Sequence, residues 1–244
     1  MLRMLYIVVL LSVATALPAQ VPDKFTNLQV FPKDISSKDL IEIMRGFSFS
    51  LGVRCDHCHA GKDGPNLPRM NFASDERETK KTARVMLRMV EAINRDYIGK
   101  VSQKPAIAVE CVTCHRGLSR PRTLQAVLLE EMEKGGLSSA ISLYRSLRRQ
   151  AYGNGQYDFS ETSLNLLSES LLHRGKPKEA AAMMELNLEV NSPFSNWGYS
   201  VLAMAHRANG EPKKAEADFG KILEADPQNS WAKGELEKLR QGQN

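Results

Sequence analysis

The feature that most constrains this chain is a pentapeptide that occurs twice, Cys55-Asp56-His57-Cys58-His59 and Cys111-Val112-Thr113-Cys114-His115. Both read C-x-x-C-H, the attachment sequence for a c-type haem. Two thiols two residues apart can each add across one haem vinyl group, and the adjacent His then lies under the iron as its proximal ligand. The two motifs use all four cysteines of the chain. A zinc site built from two C-x-x-C pairs would not require a His directly after each second Cys, and disulfides would not require the His either. The expected cofactors are therefore two covalently bound c-type haems. Cys55, Cys58, Cys111 and Cys114 form the thioethers, and His59 and His115 are the proximal ligands.

The N-terminus agrees with this chemistry. Arg3 gives a positive start, Leu5 to about Ala16 is a short apolar run, and Ala14-Thr15-Ala16 and Ala19 offer small residues for cleavage. Residues 1–19 read as a signal peptide, although an uncleaved anchor stays open. The run is short for a membrane span. The mature chain is expected in the periplasm or otherwise exported, where thioethers account for four thiols in an oxidising compartment.

After an extended lead-in with Pro22 and Pro32, Ser36-Ser37-Lys38-Asp39 signals a helix start. Leu40, Ile41, Met44, Phe47 and Leu51 recur at helical spacing, and Gly52 is the stop. A second helix is predicted from Ser74-Asp75 to about Tyr97, with Val85, Met86, Met89, Val90, Ile93 and Tyr97 as its apolar positions. Residues 20–120 thus read as helix, motif, helix, motif, with the first cysteines 56 residues apart.

From residue 121 a period of about 34 to 35 residues appears. Tyr199, Leu202-Ala203, Gly210, Ala215, Phe219, Ile222 and Pro227 fall at tetratricopeptide (TPR) spacing. Leu164, Leu167, Leu171, Gly175, Ala180 and Met184 form an earlier copy. A weaker first copy has Leu124, Val127-Leu128, Gly135, Ala140, Tyr144 and Leu147, and Ser230 to Arg240 reads as a capping helix. The expected fold is all-α: helix-plus-CxxCH haem units over 20–120, then a short TPR-like α-solenoid over 121–244. Such repeats imply a concave surface for protein docking. A net charge of +5 suits an acidic redox partner or an anionic membrane surface. Without an arginine-rich run or aromatic-basic interleaving, nucleic acid is not an expected partner.

The sixth iron ligand is narrowed by elimination. His57 is tied inside its own attachment loop, and His173 and His206 belong to the repeats as surface or hairpin contacts. Methionines remain. Met44 precedes the first motif, and Met86 and Met89 precede the second. Those two share a helix face, so spacing does not choose between them. Met70 is a further candidate. Met132, Met183, Met184 and Met204 are repeat packing.

Ile43-Met44-Arg45-Gly46-Phe47, Leu51 through His59, Ala83-Arg84-Val85-Met86-Leu87-Arg88-Met89-Val90, Ile93-Asn94 and Cys111 through Gly117 together resemble the tetrahaem cytochrome subunit of photosynthetic reaction centres. The resemblance covers about residues 27–122. It implies that a Met on each preceding helix is the sixth ligand, Met44 for the first haem and Met86 for the second. The chain departs from that family in having two motifs, half of the subunit's four, and in ending in helical repeats. No photosynthetic role is carried over, and a free-standing dihaem relative is the closer description. The expected function is electron transfer between protein redox partners, with a membrane-associated complex as one setting and no enzyme activity. The alternatives are a haem-based sensor or assembly scaffold, and a dihaem peroxidase-like enzyme.

Overall fold

A computed structural model describes residues 24–61, 70–101, 107–191 and 195–242. The signal-peptide reading falls outside them. Among the described residues all regular structure is helical, apart from an isolated antiparallel bridge between Ala60 and Asn71. The chain divides into two compact units, one ending at Ser119 and the other beginning at Arg120.

In the first unit, α1 spans Ser37–Leu51. Ser36 caps it: its hydroxyl accepts from Asp39 N–H at 3.1 Å and donates to the Asp39 carboxylate at 2.7 Å. Gly52, at φ 64°, ends it. The Gly52 and Val53 N–H groups turn back to the Phe49 and Ser48 carbonyls, a Schellman closure that satisfies the last carbonyls of the helix.

Helix α2 spans Glu78–Asp96, so it starts three to four residues later than Ser74-Asp75 suggests. Asp75 is drawn into a different task. Its carboxylate pairs with Arg84 at 2.8 Å and Lys80 at 3.2 Å, and accepts from Asn27 at 2.9 Å and Gln29 at 3.2 Å. A carboxylate held by four tertiary donors is not available to cap a helix. The knot instead ties the N-terminal lead-in to the first turns of α2.

Helix α3 is one short turn, Cys111–His115. A capping box opens it: the Glu110 side chain accepts from Thr113 N–H, and the Thr113 hydroxyl accepts from Glu110 N–H at 3.0 Å. Arg116 (φ 48°) and Gly117 (φ 82°) then turn the chain away.

The second unit comprises α4 (Leu124–Ala151), α5 (Glu161–His173), α6 (Pro177–Val190), α7 (Asn196–Ala208), α8 (Pro212–Ala225) and α9 (Ser230–Arg240). Helices α5/α6 and α7/α8 are hairpins in a 35-residue register. Gly175 and Gly210 turn the chain at φ 69° and 75°, and Pro177 and Pro212 open the return helices. Within α4, Gly136 (φ 80°, ψ 177°) is the break between two helical stretches, one residue after the expected Gly135. Leu124, Leu128, Tyr144, Leu164, Leu171, Met184 and Leu202 belong to one buried cluster, and Ala203, Ala215, Phe219, Ile222 and Ala232 form another. These are the apolar positions of the sequence repeats, stacked into a short TPR-like solenoid. Met183 and Met132 are buried in the first cluster, and Met204 packs partly buried against the second.

Candidate haem-binding site

Each C-x-x-C-H motif sits on a turn of helical backbone. Cys55–His57 is a 3₁₀ turn in which Cys58 and His59 N–H both bond the Cys55 carbonyl, at 3.3 and 3.0 Å. Cys111–His115 is the turn α3. Helical winding brings residues three apart to one side, so each thiol pair shares a face, with the His following on the same turn. All four thiols are free. Burial pushes the Cys58 and Cys111 thiols up, against the direction of thiolate formation. Among the described residues no three His, Cys, Asp or Glu side chains converge as a metal-ion site.

The turns are pinned by residues that sequence reasoning did not single out for this role. Thr79, on the first turn of α2, donates its hydroxyl to the His57 carbonyl. Asn94, near the end of α2, clasps the backbone two residues before Cys111. Its amide donates to the Val109 carbonyl at 2.8 Å, and its carbonyl accepts from Val109 N–H at 2.7 Å. At the far side of α3, Gly117 N–H bonds the Ser50 carbonyl of α1 at 2.8 Å. The motif neighbourhoods are thereby joined. The signal for Thr79 and Asn94 is a polar side chain on a helix close in space to a motif, which spacing along the chain does not reveal.

The imidazoles suit a metal. His115 Nδ1 lies 2.7 Å from the Leu118 carbonyl. A carbonyl only accepts, so Nδ1 is the donor there and Nε2 is the ring nitrogen left to face a ligand. His59 is held toward the neutral form by burial and then by the charge of Lys80, and Phe72 stacks edge-on against it with 5.1 Å between ring centres.

Of the candidate sixth ligands, Met44 lies half-buried on α1. Met86 and Met89 lie on α2 with 42% and 45% of their surfaces exposed, so exposure does not separate them. Met70 is buried beside the Ala60–Asn71 bridge. His173 is exposed. His206 is buried and bonded through Nδ1 to Asp218 at 2.7 Å inside the α7/α8 hairpin.

Burial supplies the fit test for a large apolar cofactor. Among the described residues of the first unit the buried apolar side chains are Leu40, Ala60 and Met70, while Phe49, Val85, Met86, Met89, Tyr97 and Val112 are exposed. A unit of this size needs more apolar burial than that to repay its chain entropy. A porphyrin at each turn would cover such side chains, so the residues present fit haem.

The comparisons agree with that chemistry. The sequence model of the family described as Photosynthetic reaction centre cytochrome C subunit matches residues 25–165, more than half of the chain. The chain belongs to that family. The match runs past the motif region, through α4 and into α5. Among curated relatives, cytochrome c-554 of Chloroflexus aurantiacus is 36% identical over 89 residues, which is 36% of this chain and 20% of that protein. The photosynthetic reaction center cytochrome c subunit of Roseobacter denitrificans is 29% identical over 97 residues, 39% of this chain and 24% of that protein. The chain therefore spans about a fifth to a quarter of the length of these relatives. A solved structure of the first TPR of Spaghetti (RPAP3) bound to HSP90 peptide SRMEEVD covers 49% of this chain and 91% of its own, at 21% identity and a TM-score of 0.34. A likeness at that score carries no argument.

Proposed function

We propose that this reaction-centre-type cytochrome c is an exported dihaem electron carrier. Cys55 and Cys58 hold one haem and Cys111 and Cys114 the other, with His59 and His115 as proximal ligands. When bound, haem supplies an iron that moves between ferrous and ferric states. The protein's own part is to orient and insulate. Thr79 and Asn94 steady the two turns, the Leu118 carbonyl holds the His115 ring by its Nδ1–H, and the apolar faces of α1 and α2 keep water off the porphyrins. Met44 and Met86 are the sixth ligands, with Met89 the alternative for the second haem. Thioether ligation raises the potential relative to a second His. The chain does no bond chemistry on a substrate, and its partners are proteins that give or take single electrons.

Export follows from the N-terminal sequence and from the attachment chemistry. No described helix is long and apolar enough to cross a membrane. A membrane-associated partner complex is consistent with the net charge of +5. The repeats of the second unit serve as the docking module.

The observation that carries the reading is the pair of Cys-x-x-Cys-His turns, each presenting two free thiols beside an imidazole. Denaturing mass spectrometry of the mature protein is expected to show two haem additions, and a pyridine haemochrome count should give two haems per chain. A mass equal to the bare polypeptide, or one haem only, would overturn it.

A further inference from the structure

The excess positive charge of the chain is carried by its haem-binding half. Residues 20–119 hold 16 Lys and Arg against 12 Asp and Glu, whereas residues 120–244 hold 16 of each. Helix α2 concentrates the excess: from Arg77 to Asp96 six cations stand against three anions. Lys81, Arg88 and Arg95 recur at intervals of seven residues, two helical turns, so they share one flank of α2, with Arg77 one turn before Lys81. All four are exposed. Lys81 pairs with Glu78 at 2.6 Å and Arg95 with Asp96 at 2.8 Å, while Arg77 and Arg88 have no ion-pair partner among the described residues.

Helix stability does not account for this placement. Arg77, Lys80 and Lys81 stand at the N-terminal end of α2, where the helix dipole favours anions and disfavours cations. Lys80 is taken up by Asp75, but Arg77 and Lys81 face solvent. The flank also lies near both motifs. Thr79 of α2 holds the first turn and Asn94 the backbone before the second. Arg77 lines a recess of about 640 Å³ together with Asp56 and His57 of the first motif. Arg88 precedes Met89 by one residue, about 100° round the helix axis.

Resting on the electron-carrier reading above, we infer that this flank of α2 is where the electron partner docks, and that the partner presents an acidic protein surface. Arg77 and Arg88 are its principal contacts, since their charges are not spent within the chain. The porphyrin carboxylates offset the net excess of charge, so the local arrangement is what the partner reads. A lipid surface fits less well. A helix lying on a membrane buries an apolar face beside its cations, and the apolar face of α2 is the one assigned to the haems. In the docked pair one electron passes between the partner's redox centre and a haem iron, one gaining what the other loses, with no bond made or broken.

The test mixes the ferric holoprotein with reduced plant-type [2Fe–2S] ferredoxin, an acidic one-electron donor, in stopped flow. Photogenerated lumiflavin semiquinone, an uncharged one-electron donor, is the reference. Wild type should react with ferredoxin at a rate that falls as salt rises. The double variant Arg77→Gln/Arg88→Gln should react about tenfold more slowly at low salt and depend less on salt, with its rate toward the flavin unchanged. Arg77→Lys/Arg88→Lys keeps the charge and should keep the rate. Arg174→Gln/Lys178→Gln removes the same charge from the second unit and should behave as wild type. A wild-type rate indifferent to salt, equal slowing in the two Gln variants, or slowing with the flavin as well as with ferredoxin overturns the inference. So does an Arg77→Gln/Arg88→Gln protein that keeps its ferredoxin rate but no longer sediments with phosphatidylglycerol vesicles as wild type does, which makes the flank a lipid contact. A holoprotein that neither donor reduces overturns the electron-carrier reading itself, whereas normal reduction by flavin with a ferredoxin rate untouched by the Gln variant overturns the docking face alone.

Discussion

Gly52 and Gly117 are in backbone contact: a Cβ built on Gly52 would stand 2.2 Å from the Gly117 carbonyl oxygen. One glycine closes the helix before the first motif, and the other comes two residues after the second motif. Gly52 is also at φ 64°, so an alanine there meets two penalties. The left-handed backbone alone costs about 1–2 kcal/mol, and the clash is with main chain that cannot rotate away. Gly52→Ala is expected to lower the melting temperature and to reduce haem incorporation at Cys111/Cys114 as well as at Cys55/Cys58. A variant with full haem at both motifs and unchanged melting would show that the contact does not couple them.

Asn94 offers a second handle on the same turn. Asn94→Ala leaves the Val109 N–H and carbonyl without their partners, at about 1–3 kcal/mol if no water replaces them. Asn94→Asp keeps the acceptor and loses the donor, so it should fall between. Thermal unfolding should rank the proteins wild type, Asp, Ala, and a flat series would remove Asn94 from the account.

Axial ligation is the point at which the methionines separate. Replacing Met44 with Ala should open the first haem to carbon monoxide and leave the second six-coordinate, and Met86→Ala should do the reverse. Met89→Ala is the internal control. Should Met89→Ala open the second haem while Met86→Ala leaves it closed, the assignment within that pair is exchanged.

Asp75 sets an acid limit. Arg84 beside it, with Asn27 and Lys80, holds its carboxyl far below the usual carboxylate range. A group whose pKa is depressed on folding contributes its full stability above its unfolded pKa, near 4, and loses it as pH falls toward the folded value. Wild type should therefore weaken progressively below about pH 4. Asp75→Asn should be weaker at neutral pH and show a flatter acid limb. Equal slopes in the two proteins would dissociate Asp75 from acid stability.

The features legible along the chain are those encoded locally. Ser36 and Gly52 bound α1 because a hydroxyl cap and a left-handed glycine act within one turn. The 35-residue register of Gly175/Gly210 and Pro177/Pro212 shows in the sequence because each hairpin repeats the same turn chemistry. The start of α2 departs from its sequence signal because Asp75, a good cap by type, is claimed by Arg84 and Lys80. Helix α3 leaves no such signal, since five residues are too few for a periodicity. Asn94 and Thr79 act across 15 and 22 residues of chain, so only the folded arrangement shows what they hold.

The meagre apolar interior of the first unit bears on how the protein matures. With Leu40, Ala60 and Met70 as its buried apolar side chains among the described residues, that unit has little to collapse upon before its cofactors are attached. The repeats carry their own dry core. A cell short of haem should accordingly hold chains whose latter half has folded while the former half is open to proteases. Limited proteolysis of haem-free protein is expected to trim the chain back toward Ser119 and spare the repeats; digestion at equal rates through both halves would argue otherwise. Attachment would then act as a checkpoint, with the supply of haem deciding how many copies survive.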